Sequence, residues 1–234
     1  MTAIFKREFK AYFTSMLGYV FLTIFLLLSG VMFVVNTLLS GTTSMTSYFA
    51  SMISWSSFIL PILTMRIFSE DKKQKTDQLL LTAPIGIHEM VLGKFFAAVC
   101  AFLIGVAFTV LYPMILSFYG TVPVAETVSC FIGFILFASC VIAIGAYMSS
   151  LTESQIVAAI STYGVIILIM FIGNIATQTN SAILATVLMW LSPLNRFSDF
   201  TMGILNVESI IYYISFAAVF VVLAIRTFEK KRWN

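Results

Sequence analysis

Six stretches of mostly apolar residues, at about 17–39, 49–68, 95–118, 127–149, 155–175 and 208–226, partition a chain of 234 residues. A helix rises about 1.5 Å per residue, so about 20 such residues cross a hydrocarbon core about 30 Å thick. Hydrocarbon offers backbone N–H and C=O groups no water, so each stretch must close its hydrogen bonds internally, as a helix. Composition agrees: 60% of residues are hydrophobic and 10% charged, against about 25% charged in a soluble domain. The expected fold is an all-α membrane protein with six transmembrane helices in a single domain over 1–234. No repeat, linker or second soluble domain is visible. The run Leu17–Leu39 follows a basic start but is too long for a signal-peptide core and lacks a small-residue cleavage site, so it reads as a retained span.

An even number of spans puts both termini on one side. Lys6, Arg7 and Lys10 precede the first span. Arg66, Lys72, Lys73, Lys75 and Lys94 lie between the second and third, and Arg226, Lys230, Lys231 and Arg232 follow the sixth. Only Arg196 falls on the opposite face, so the positive-inside rule makes the first face cytoplasmic. The net charge of +3 is this orientation signal, not a nucleic-acid patch. Cys100, Cys130 and Cys140 sit in apolar runs without metal or redox spacing and read as packing residues.

On the outer face, "SGTTSMTSY" and "FYGTVPVAE" are short polar or Gly/Pro turns. The link "SSLTES" is tight enough to make the fourth and fifth spans an antiparallel hairpin, with Thr152 as a cap and Glu153 at the positive helix end. The outside segment 176–207 contains "SAILATVLMWL", a mostly apolar stretch of eleven residues that cannot span and reads as an interfacial or re-entrant helix ending at Pro193. Trp190, Phe197 and Phe200 suit the headgroup zone. Phe197 and Phe200 are expected to contact a neighbouring subunit or an outside protein, and Arg196 and Asp199 are spaced i, i+3 on a helical turn.

The segment 69–94 breaks this apolar pattern. Ser69 is a plausible cap, with Glu70 and Asp71 in the first turn, then Leu79, Leu80 and Leu81, and Pro84 as a stop. A second helix starting at Gly86 has Glu89 at its third position and continues into the third span. Two short cytoplasmic helices fixed to a membrane helix can receive a push from a soluble partner. An ordinary solvated loop is the alternative, but a loop without a partner has little need for three consecutive leucines.

"MRIFSEDKKQKTDQLLLTAPIGIHEMVLGKFFAA" resembles the cytoplasmic loop of ABC transporter permeases of the type-2 export family, closest to the gliding-motility and nitrous-oxide-reductase-maturation subgroup. The family pattern maps onto Glu70, Asp71, Thr76, Asp77, the leucines 79–81, Pro84 and Leu92-Gly93-Lys94, with Lys75 in place of the usual Gly. "FKREFKAYFTSMLGYVF" is similar to the family's interfacial helix, placed at 1–16, with Met16 where a Pro often follows the Ser. "SSLTESQIVAAISTYGV" and "LSPLNRFSDFTMGIL" also match. The resemblance implies a multi-pass subunit of a bacterial cytoplasmic membrane, both termini inside. It would pair with a second permease, the same or homologous, and with separate cytoplasmic ATPase subunits, and an outside auxiliary protein is a further candidate partner. It makes Glu70, Asp71, Thr76, Asp77, Leu79, Leu80, Leu81 and Pro84 the ATPase-coupling residues. No cofactor belongs to this chain; ATP and Mg²⁺ belong to the partner. Indeed Gly86 and Gly93-Lys94 have six residues between the glycines and Phe95 after the Lys, which is not a phosphate-binding loop.

Candidate pathway-lining positions are Ser51, Ser54, Ser57, Thr109, Ser161 and Asn174, although Ser and Thr in membrane helices commonly bond their own backbone. Scattered hydroxyls in an apolar path favour amphipathic, lipid-like or peptide cargo over small ions. A membrane enzyme would need paired acids, an activated Ser or a His-based metal site within the spans, and a secondary transporter would need buried ionisable residues. His88 is alone and no acid lies mid-span. A subunit that transmits force to an outside protein without moving substrate remains a variant of the export reading.

Overall fold

All six apolar stretches lie in helices long and apolar enough to cross a membrane. The computed structural model describes residues 1–75, 86–178 and 192–233. Among these the chain is all-helical. Helix α1 is Thr2–Thr14, and α2 is Met16–Phe33, prolonged by a π-helical turn over Val34–Leu38. Helix α3 is Thr46–Thr64 and α4 the short Ser69–Lys73. Helices α5, Ile87–Thr109, and α6, Leu111–Ser117, follow. Then come α7, Val124–Leu151, α8, Gln155–Gln178, α9, Pro193–Thr201, and α10, Val207–Trp233.

Helix α7 is the axis of the bundle. It is buried on several sides at once, through Cys130, Phe134, Ala138, Val141, Ile142 and Ala146, and it packs against α3, α5, α8, α9 and α10. A helix apolar all round belongs in the interior, whereas α2, α8 and α10 leave much of their apolar surface outward. Close approach is set by small residues, because apolar surface alone does not drive helices together in lipid. At Gly145 of α7 a Cβ would stand 2.0 Å from Thr64 Oγ1 of α3, so the α3–α7 crossing depends on its absence.

The break between α1 and α2 falls at Ser15, whose backbone is extended (φ −95°, ψ 148°). No proline is needed. Gly18 lies against the end of α1, where a Cβ would meet the Tyr12 carbonyl oxygen at 2.0 Å, and Arg66 Nη1 donates to Ser15 Oγ at 2.6 Å. Helix α1 then lies along the start of α5, with Ile4 and Tyr12 buried and Lys6, Arg7 and Lys10 outward.

At the opposite end, α9 begins with Pro193 at its N-terminus and folds back on α7 and α10. Phe197 and Phe200 are 4% and 0% exposed, and the Phe200 ring lies against Gly133. This corrects the expectation that these aromatics face a neighbour: their rings fill the groove between α7 and α10 and anchor α9. Arg196 Nη2 pairs with Glu208 at 2.9 Å, and Asp199 accepts from Ser209 Oγ at 2.6 Å, so both charges of the expected i, i+3 pair reach α10. The eleven-residue segment read as interfacial or re-entrant, 181–191, lies outside the described residues.

Overpacking a tight crossing costs about 1–3 kcal/mol. Gly145→Val is therefore expected to lower the thermal unfolding midpoint in detergent, while Gly164→Ala, where a Cβ meets nothing within 4 Å, leaves it unchanged. Equal midpoints for the two variants would contradict this packing.

Candidate functional site

Where α3 ends, the chain makes a four-residue turn, 65–68, before α4. Such a turn strands backbone groups that a continuous helix would satisfy. One side chain of α7 meets them. Ser149 Oγ accepts the Phe68 and Ser69 N–H groups, each at 3.0 Å, and donates to the Met65 carbonyl at 3.1 Å. Ser69, expected as the cap, is instead the first residue of α4, and its hydroxyl donates to the Met65 carbonyl. Lys72 Nζ donates to the Ser150 carbonyl at the end of α7 and lies 5.8 Å from the Phe228 ring centroid. A cation on the last carbonyls of a helix is favoured by the dipole. The elbow is thus bolted to α7 and α10.

The link following α7 differs from expectation in one detail. Helix α8 starts at Gln155, so Ser154 rather than Thr152 precedes it, and Thr152 Oγ1 donates to the Ser154 carbonyl at 3.3 Å.

The second clamp is ionic. Lys94, on α5, is 3% exposed and reaches Asp71 of α4 at 2.7 Å, Glu8 of α1 at 3.2 Å and the Ile67 carbonyl at 2.9 Å, with the Phe68 ring at 5.6 Å. A buried ammonium is tolerated only when paired and hydrogen-bonded. Around it Arg7 pairs with Glu8 at 2.7 Å, and Arg66 with Glu70 at 3.0 Å while lying over the Tyr12 ring. The Glu8 hydrogen bond holds the Arg7 guanidinium above its ordinary pKa, and burial pushes the Tyr12 phenol up. Three cations and three carboxylates therefore meet where α1, α3, α4 and α5 converge, around an open cleft of about 290 Å³ lined by both arginines, Gln74 and Lys94.

Glu70 and Asp71, read as facing an ATPase, thus have partners within the chain. Lys94 and Glu8 are not among the candidate site residues, although both fall in the stretches that carry the resemblance, Leu92-Gly93-Lys94 and Arg7-Glu8. Lys75 has φ +59°, the left-handed region that glycine enters freely. A glycine, the residue expected there from the resemblance, fits this geometry better than Lys. Thr76, Asp77, Leu79, Leu80, Leu81 and Pro84 lie outside the described residues. The segment's far end resumes at Gly86, the N-cap of α5, with Glu89 third in the helix as expected.

The candidate pathway residues do not converge on one lining. Ser57 and Thr109 are buried and donate to their own helix, at Ile53 and Val106. Ser54 and Ser161 likewise bond the Ala50 and Ala158 carbonyls. Ser51 crosses between helices, donating to Asn36 Oδ1 in the π-helical turn at 3.3 Å. The side chain of Asn174 lies outside the described residues.

The family model described as "ABC-2 family transporter protein" matches residues 36–226. No curated protein matches the sequence. The matched range contains Arg66, Asp71, Lys94 and Ser149 but not Glu8.

Removing one partner of a buried pair costs about 3–5 kcal/mol, and the 18–19% exposure of the two carboxylates lowers that figure. Lys94→Met is expected to free α1, seen as faster proteolysis before Ser15, and Lys94→Met/Asp71→Asn to restore part of the protection. Unchanged proteolysis of Lys94→Met would show that apolar contacts alone hold α1.

Proposed function

The chain belongs to the ABC-2 transporter family, and on that footing we propose that it is the membrane subunit of an ATP-driven exporter. An ABC-2 member with six membrane-crossing helices is a transmembrane component of an ABC transporter and an integral membrane protein. In this reading it pairs with a second permease, identical or homologous, in a bacterial cytoplasmic membrane, with both termini and the 69–94 segment inside. ATP is hydrolysed on separate ATPase subunits.

The observation that carries the coupling role is the anchoring of the charged segment at both ends. Before residue 76, α4 is held to α7 by Ser149 and Ser150 and to α5 by Lys94. After residue 85, α5 continues unbroken from Ile87 to Thr109. A push on 76–85 would reach three membrane helices through stiff elements. Leu79, Leu80 and Leu81 supply the grip: apolar area hidden in a partner's cleft is worth about 25 cal/mol per Å². Thr76 and Asp77 set register, and Pro84 the angle of approach. Glu70 and Asp71 act at one remove, positioning α4 through Arg66 and Lys94. Likeness to the gliding-motility and nitrous-oxide-reductase-maturation permeases rests on the loop motif.

Two measurements test this. Leu80→Asp places a charge in a desolvated contact and is expected to abolish co-purification of the ATPase without loss of membrane insertion; wild-type stoichiometry would move coupling elsewhere. For orientation, an impermeant thiol reagent on intact cells should label Thr121→Cys and spare Lys73→Cys. Labelling of Lys73→Cys would invert the topology.

A further inference from the structure

An apolar groove of about 440 Å³ runs along the outside of the bundle between α5, α7 and α10. Leu92 and Phe96 of α5, Leu136 of α7, and Ile214, Val222 and Ile225 of α10 line it. Ile214 to Ile225 spans about 16 Å of helix, half of a hydrocarbon core about 30 Å thick. The end within the bilayer is bounded by Tyr213, which is 1% exposed and donates to the Pro193 carbonyl. The other end opens where the chain is basic. Arg226 lies one turn beyond Val222, is 77% exposed and, among the described residues, makes a loose contact of 3.7 Å to Glu229. Lys230 follows on the same edge, exposed. Across the mouth, exposed His88 lies one turn before Leu92, and the nearby Glu89 is paired with the Met1 amino group at 2.6 Å.

We propose that this groove is a binding site for an anionic phospholipid of the leaflet at the basic end: one acyl chain fills the groove, and the phosphate sits on Arg226 and Lys230, with His88 as a further donor. Depth selects the occupant. A helix from a second copy would need a stripe across both leaflets, whereas this groove stops after one. Charge selects the headgroup, since a Lys or Arg near the membrane surface favours an anionic lipid. The site does not depend on the transport reading and is tested on the full chain without any ATPase.

The purified chain in mild detergent is titrated with phosphatidylglycerol and with phosphatidylcholine and followed by native mass spectrometry. Wild type should retain phosphatidylglycerol more tightly. Arg226→Gln and Lys230→Gln should each erase about fivefold of that preference while acyl binding persists. Ala218→Trp, on an exposed position of the groove wall, should lose both lipids, and Val222→Trp should repeat the result. Equal retention of the two lipids by wild type overturns the proposal, as does undiminished binding in both tryptophan variants. A shift from dimer to monomer in those variants would also overturn it, assigning the groove to a second copy.

Discussion

A backbone amide in hydrocarbon has nowhere to turn but its own helix, and the whole architecture follows from that. Where the helix runs on, sequence needs only to be apolar. Where it stops, some other group must take over its hydrogen bonds. The interruption at 65–68 is the clearest case, because a serine 80 residues away supplies both acceptor and donor. Helix ends inside this fold are therefore places of long-range commitment, and the charged residues gather at one of them.

That gathering changes what the basic residues mean. Counted along the chain, the positive-inside rule reads them as one face of the membrane, a count that uses no knowledge of contacts. In three dimensions Lys94 is enclosed by Glu8, Asp71 and a carbonyl, Lys72 caps a helix end and Arg66 bridges to Ser15. These charges, which the count reads as an orientation signal, are internal fasteners in the structure. The three cations and three carboxylates balance, which is what lets so many charges meet at the edge of an apolar body.

The spans were legible because a run of about 20 apolar residues has few other fates, and the start of α5 was legible because Gly86 and Glu89 are local signals. The inward role of Glu70 and Asp71 was not: a carboxylate carries no mark of whether its partner is across a loop or on another protein. Phe197 and Phe200 were misplaced for the same reason, since an aromatic suits a headgroup zone and a helix–helix groove equally well. What decides is Gly133, more than 60 residues earlier, which opens the space for the Phe200 ring.

Ser149 carries a mechanical consequence. A hydroxyl has one proton and two lone pairs, and here the Met65 carbonyl and the Phe68 and Ser69 N–H groups occupy all three. Nothing is left over to exchange for water or another partner during a small displacement. The joint between α3, α4 and α7 therefore has no spare bonding capacity at this hydroxyl: parting α4 from α7 gives up bonds that this serine cannot replace. A joint of this kind resists small adjustments and yields only to a displacement large enough to break its bonds.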